Sequence, residues 1–195
     1  MNRSVLTALA LGALVALAPA PVGAKPPFLP FCQVDPLVVS DAAGSQAFRV
    51  VLRDVNNSPL REYALLDFSR SSVRLYSIQE PGVTFDCASR TLAKITGPDG
   101  SATFHPRFGG YANGQDVDVI GDGVVVTSVP ARSTDMDGVD GCTGLGDFGM
   151  FAQRFLSSSP HPEADFDNSG GPLGLGDFSI FSRDLLSGVK GSYCP

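Results

Sequence analysis

Residues 135–148 read DMDGVDGCTGLGDF, and residues 165–178 read DFDNSGGPLGLGDF. Each copy begins with Asp-x-Asp, passes through a glycine turn and ends in Leu-Gly-Asp-Phe. Hard oxygen ligands at alternating positions, a sharp turn and a closing carboxylate are what a calcium loop requires. The repeat therefore predicts two calcium loops, and calcium is the cofactor that the sequence indicates.

The predicted ligands differ between the two copies. In the first loop they are Asp135, Asp137, Asp140, the backbone carbonyl of Cys142, and Asp147. In the second loop they are Asp165, Asp167, Ser169 and Asp177, with Ser169 or Gly170 in the middle, where the first loop has Asp140. One carboxylate fewer predicts weaker binding at the second site. The alternative is a pair of acidic turns whose aspartates only cap helices, a common use of Asp.

A helix is predicted after each loop. Apolar residues recur at positions i, i+3, i+7 and i+8, which is one stripe of an amphipathic helix. The two stripes are Phe148, Phe151, Phe155 and Leu156, and then Phe178, Phe181, Leu185 and Leu186. Because neither helix can bury its stripe alone, the two should pack on each other.

This duplicated unit of calcium loop and exiting helix resembles the dockerin modules, over about residues 133–190. The resemblance implies EF-hand-like loops in residues 131–195. It also implies a protein partner, either a cohesin-like protein or another surface protein.

The first 24 residues have the pattern of a secretory signal. Arg3 precedes an apolar run from Val5 to Leu17, and small residues end the segment at Ala24. This pattern predicts export and cleavage after Ala24. No other apolar stretch is long enough to span a bilayer, so we expect a secreted or cell-surface protein without a membrane span.

Residues 25–130 read as short strands separated by turns. Seven or eight runs alternate or are rich in β-branched residues, and turn signals separate them, which is typical of a β-sandwich. The runs are 47–53, 63–68, 72–77, 83–87, 91–96, 102–105, 117–120 and 124–129. The fold class predicted for the whole chain is α+β, with a sandwich at 25–130 and a calcium-binding domain at 131–195.

Three stretches of the predicted sandwich resemble the Ig-like repeats of bacterial surface adhesins, the invasin or Big-1 type. They read VNNSPL at 55–60, YALLDF at 63–68 and TGPDGSATF at 96–104. The resemblance implies an antiparallel Ig-like fold used as a spacer or a binding module.

The net charge and the lack of a recognisable catalytic motif limit the classes of function that the sequence favours. The chain has a net charge of -6, and residues 131–195 hold nine acids against four bases, which argues against nucleic acid and for a cation. His105 has no nucleophile motif around it, and the chain has no Trp. The sequence therefore predicts a non-catalytic calcium-binding protein. The alternative is a carbohydrate-binding accessory component of a polysaccharide-degrading assembly.

Four cysteines in an exported chain predict two disulfides, with three pairings open. We expect pairing within each segment, Cys32 with Cys87 and Cys142 with Cys194. A thiol metal site is the weaker interpretation, because there is no Cys-x-x-Cys and there are only two His.

Overall fold

A computed structural model describes residues 25–112 and 117–195. The predicted signal segment, residues 1–24, lies outside the described residues. The described chain is mostly β-sheet, with two α-helices at its C-terminal end. Within these two ranges, no helix has both the length and the apolar character needed to cross a membrane.

The described elements follow one another from strands to helices, after a 3-10 turn at Leu29–Phe31. The strands are β1 (Gln33–Val34), β2 (Val38–Ser40), β3 (Phe48–Val51), β4 (Tyr63–Asp67), β5 (Arg74–Leu75), β6 (Thr84–Asp86), β7 (Thr91–Ile95), β8 (Ser101–Phe104), β9 (Phe108–Gly109), β10 (Val117–Gly121), β11 (Val124–Val129) and β12 (Ala131–Ser133), and the helices are α1 (Leu145–Phe155) and α2 (Leu175–Ser187).

Two antiparallel sheets share one hydrophobic core. One has three strands in the order β1-β3-β8, and the other has five in the order β11-β10-β4-β7-β6. Alternating residues turn inward from both sheets, as Phe48 and Val50 do on β3 and Ala64 and Leu66 do on β4. This arrangement is compatible with the predicted β-sandwich.

Each of the eight predicted runs overlaps a strand, while four short strands, β1, β2, β9 and β12, were missed. The most consequential of these is β12, because it lies at the predicted boundary between the two domains, where no strand was expected. Ala131 and Ser133 instead pair in parallel with Val38 and Ser40 of β2, and all three residues of β12 are buried. A ladder therefore continues from the sandwich directly into the first loop.

The two helices pack through their phenylalanines, as predicted. Phe151 and Phe181 are buried and stack with ring centroids 4.5 Å apart. The predicted stripes are wrong at their last positions, since Leu156 is 84% exposed and Leu186 is 85% exposed. Each of these leucines follows the central phenylalanine by five residues, which places it about 140° around the helix, away from the shared core.

The predicted disulfide pairing is wrong. Cys87 is bonded to Cys194, with 5.6 Å between their Cα atoms, while Cys32 and Cys142 have free thiols. The cause is the path of the last residues, which return to the sandwich. The backbone N–H of Cys194 donates to the carbonyl of Leu75 at 2.9 Å, so the end of the chain lies along β5.

Candidate metal centre

The first loop brings together the four predicted carboxylates. It begins directly after β12 and ends in the first turn of α1. Asp135, Asp137, Asp140 and Asp147 each offer one oxygen, and these oxygens all lie within 4.8 Å of one another. Four carboxylate oxygens at this spacing are a donor set suited to calcium, which takes oxygen ligands in flexible geometry.

The closing aspartate also holds the loop in shape. Asp147 Oδ1 accepts the backbone N–H of Asp137 at 3.0 Å, and its Oδ2 accepts that of Gly144 at 2.8 Å. One carboxylate thus joins the start of the loop to the start of α1, where a negative charge also favours the helix dipole. Both oxygens keep lone pairs for a metal.

Two of the four carboxylates are buried. Asp135 is 0% exposed and Asp147 is 1% exposed. Burial raises the pKa of Asp135 to about 6, against the lowering effect of two tyrosine hydrogen bonds. Burial likewise raises the pKa of the Asp147 carboxyl.

No lysine, arginine or histidine in residues 25–112 and 117–195 forms an ion pair with any carboxylate of the first loop. Buried charges in proteins are normally paired or bound to a metal. The first loop therefore has the electrostatic character of a cation site that its own chain does not neutralise.

The second loop repeats the framework with fewer charges. Asp165, Asp167 and Asp177 each offer an oxygen, again within 4.8 Å of one another. Asp177 accepts the backbone N–H of Asp167 at 3.1 Å and that of Gly174 at 2.9 Å. These bonds match those of Asp147 thirty residues earlier.

The middle of the second loop has no carboxylate. Gly170 occupies the position equivalent to Asp140, and its N–H donates to Asp165 at 3.1 Å. Arg132 forms an ion pair with Asp165 at 3.5 Å. Three carboxylates beside one guanidinium attract a cation less strongly than four without one.

The two remaining predicted ligands also lie in the loops. Cys142 is 8% exposed, its N–H donates to Asp140 at 3.2 Å, and burial raises the pKa of its thiol. Ser169 is exposed and donates its N–H to Asp165 and Asp167, at 3.0 Å each. The Ser169 hydroxyl is the main cause that lowers the pKa of Asp167.

Sequence reasoning missed the groups that surround the first loop. Tyr76 and Tyr193 both donate to Asp135, although they lie 59 and 58 residues away from it. Asp184 was also missed, and it accepts hydroxyl hydrogen bonds from Thr134 and Thr143. Asp184 alone left a local signal, because it stands three residues after Phe181, a position at which an amphipathic helix normally carries an apolar residue.

Comparison with known proteins does not assign this chain to a family. No protein-family model matches it, and no curated protein matches it. Among solved structures, the adhesin InvE of Yersinia pseudotuberculosis is similar at 20% sequence identity with a TM-score of 0.27. That match covers 56% of this chain, and the chain spans about a quarter of the adhesin, 27% of its length.

Proposed function

We propose that this is an exported, non-catalytic protein whose C-terminal loop–helix pair, of dockerin type, is organised by calcium. The observation that carries the proposal is the pair of carboxylate clusters, built on the same framework of backbone hydrogen bonds. Calcium is favoured over a transition metal because every clustered donor is a carboxylate oxygen, with no imidazole or thiolate among them. In this proposal the β-rich part is an Ig-like spacer or binding module.

The proposal is tested by calcium titration of the purified protein after removal of metal with a chelator. Calorimetry should resolve a stronger site and a weaker one, and circular dichroism should show helix gained with calcium. Magnesium at equal concentration is the control, since it demands a smaller octahedral site. A titration without calcium-dependent heat overturns the proposal.

Exposed apolar residues on and next to the two helices support a protein partner. They recur at equivalent positions of both repeats, and exposed apolar surface often marks interaction sites. They are Leu145 at 86% and Leu175 at 80%, Phe148 at 43% and Phe178 at 42%, and Leu156 at 84% and Leu186 at 85%. A cohesin-like or other surface protein that covers these residues is the partner we propose.

The docking proposal predicts that capture of a partner from the culture medium depends on calcium and on this surface. Replacing Leu145 and Leu175 together with Ser should abolish capture and, because no charge is added beside either loop, leave calcium binding unchanged. Val55, which is 64% exposed on the β-rich part, is the matched control. If Val55→Ser has the same effect as the double variant, the helical surface is not the docking site.

A carbohydrate-binding role is the second candidate. A shallow depression of about 500 Å³ on the five-stranded sheet is lined by Tyr63, Asp67 and Asp122, among others. An exposed ring beside carboxylates is a combination that can stack on a sugar and accept its hydroxyls. A glycan array that stays blank for the parent protein removes this candidate, and binding that survives Tyr63→Ala removes the site.

A further inference from the structure

The residues after α2 form a tail that runs back to the β-rich part of the protein. Within this tail, the carbonyl of Ser192 accepts the N–H of Ser77 at 2.6 Å. Two residues later, the backbone N–H of Cys194 donates to the carbonyl of Leu75, and its sulfur forms a disulfide with Cys87. The disulfide joins two residues 107 positions apart in sequence, so it ties the end of the tail covalently to the β-rich part.

The tail also contacts the first metal loop directly. The N–H of Gly191 donates to the carbonyl of Gly141 at 2.6 Å. Arg74 adds a second link, because its guanidinium lies 4.0 Å from the centre of the Tyr193 ring and donates to the carbonyl of Gly138 at 2.9 Å. Gly138 and Gly141 are both loop residues, so the tail and β5 enclose the loop from outside.

Two phenols meet at one oxygen of the first predicted ligand. Tyr76 donates its hydroxyl to Asp135 Oδ2 at 2.7 Å, and Tyr193 donates to the same oxygen. The two rings meet edge to face, 5.1 Å apart. Among the described residues, Oδ2 accepts these two donors and Oδ1 accepts one, the N–H of Gly138 at 3.1 Å. Oδ1 is therefore the oxygen more open to a cation.

We propose that Tyr193 and Tyr76 are positioning residues of the first metal loop, and that the Cys87–Cys194 disulfide keeps Tyr193 in place. The inference rests on the proposed calcium function. Groups that hydrogen-bond a metal ligand fix its orientation, and their loss typically weakens metal binding 10- to 100-fold. The affinity of the first loop should thus depend on the oxidation state of a disulfide outside the loop.

The second loop provides an internal control, because it lacks this support. Its equivalent ligand, Asp165, accepts the backbone N–H groups of Ser169 and Gly170 and pairs with Arg132. Among the described residues, no tyrosine hydroxyl bonds a carboxylate of this loop. Loss of the phenols or of the disulfide should therefore leave the second site unchanged.

The first test is a calcium titration of the purified protein carrying Tyr193→Phe, which removes one hydroxyl and keeps the ring. We expect the stronger site to weaken about tenfold and the weaker site to be unaffected. Tyr63→Phe is the matched control, since Tyr63 is 55% exposed on β4 and does not contact the loop. Equal affinities of parent and Tyr193→Phe overturn the inference.

The second test breaks the disulfide by replacing Cys87 and Cys194 with Ser. The first site should again weaken about tenfold, and adding Tyr193→Phe should weaken it little further, because both changes remove the same contact. A general loss of folding would instead add to the effect of Tyr193→Phe and would weaken both sites. Full additivity therefore overturns the disulfide part of the inference.

Terbium luminescence excited through tyrosine assigns the effect to a loop. The chain has four Tyr and no Trp, and Tyr76 and Tyr193 lie against the first loop, so terbium bound there should be sensitised. In Tyr193→Phe, the remaining Tyr76 signal should titrate at higher terbium concentration. If the parent protein binds neither calcium nor terbium, the calcium function itself is refuted. If the parent binds both ions and Tyr193→Phe has the same titration midpoints, only the positioning role is refuted.

Discussion

Asp184 is a buried carboxylate on α2 that accepts hydrogen bonds from both sides of the first loop. Its Oδ2 accepts the hydroxyl of Thr143 at 2.5 Å, that of Thr134 at 2.6 Å and the backbone N–H of Ala42 at 3.3 Å. Thr134 directly precedes the first predicted ligand, and Thr143 lies four residues before the closing one. Asp184 is 3% exposed, so water cannot replace it as an acceptor.

Replacing Asp184 with Ala should therefore be costly. Each buried donor left without an acceptor costs about 1–3 kcal/mol, so three donors, less what is regained by not burying a charge, give about 3–5 kcal/mol of lost stability. Asp184→Asn keeps a carbonyl acceptor at the same place and should cost about 1–2 kcal/mol. Asp184→Ala should lose more stability than Asp184→Asn, because only the Asn side chain keeps an acceptor for the three donors.

The assay is urea unfolding of the purified protein at neutral pH, with chelator present so that metal binding does not contribute. Leu186→Ala is the matched control, because Leu186 lies on the same helix two residues away and is 85% exposed. That control should change the free energy of unfolding by less than about 1 kcal/mol. If Asp184→Ala stays within the same limit, the three hydrogen bonds do not hold the loop and the reasoning is refuted.

Two further predictions concern the metal and the pH. Asp147→Ala should weaken calcium binding at the first loop by about tenfold more than Asp140→Ala, because Asp147 also joins the two ends of the loop; equal losses in a calorimetric titration would contradict this role. Burial acts to raise the pKa of Glu80, but hydrogen bonds from His105 and the charge of Lys94 outweigh it and leave the pKa below the usual 4.5. Since the folded state lowers this pKa, the stabilisation is complete above pH 4.5 and is lost as pH falls through the folded pKa. In acid unfolding, Glu80→Gln should therefore lose less stability than the parent as the pH falls below 4.5. The same dependence of stability on pH in both proteins would contradict this role of Glu80.

Local patterns predicted the parts of the structure that depend on neighbouring residues. The alternation at Phe48 and Val50 predicted a strand, because period two is a property of one strand by itself. The Asp-x-Asp spacing in each copy predicted which carboxylates meet, because a tight loop brings together residues that are close in sequence. The prediction that the final leucines of the stripes are buried was wrong, because each lies about 140° around the helix from the central phenylalanine.

Contacts between distant segments could not be predicted in this way. The cysteine pairing was inferred from the division of the chain into two segments, each with two cysteines, and nothing near Cys194 in sequence indicates that the tail returns to β5. The same path brings Tyr193 to Asp135, so one unforeseen turn of the chain accounts for both the disulfide and the tyrosine contact. Strand β12 was not predicted for a related reason: three residues that pair in parallel with a distant strand are too few to show a periodicity in sequence.

The two loops are alike in sequence but differ in their surroundings, and that difference assigns them different roles. The first loop is enclosed by the tail and by β5, and its buried Asp135 shares a hydrogen-bond network with Tyr76 of the β-rich part. The second loop is partly neutralised by Arg132, and its middle residues are exposed. Calcium at the first loop would therefore stabilise the β-rich part and the helices together, because Asp135 bonds Tyr76 and Asp147 lies in the first turn of α1. At the second loop, Arg132 of β12 already neutralises part of the charge of Asp165, so occupancy of the first loop should contribute more to the stability of the whole protein.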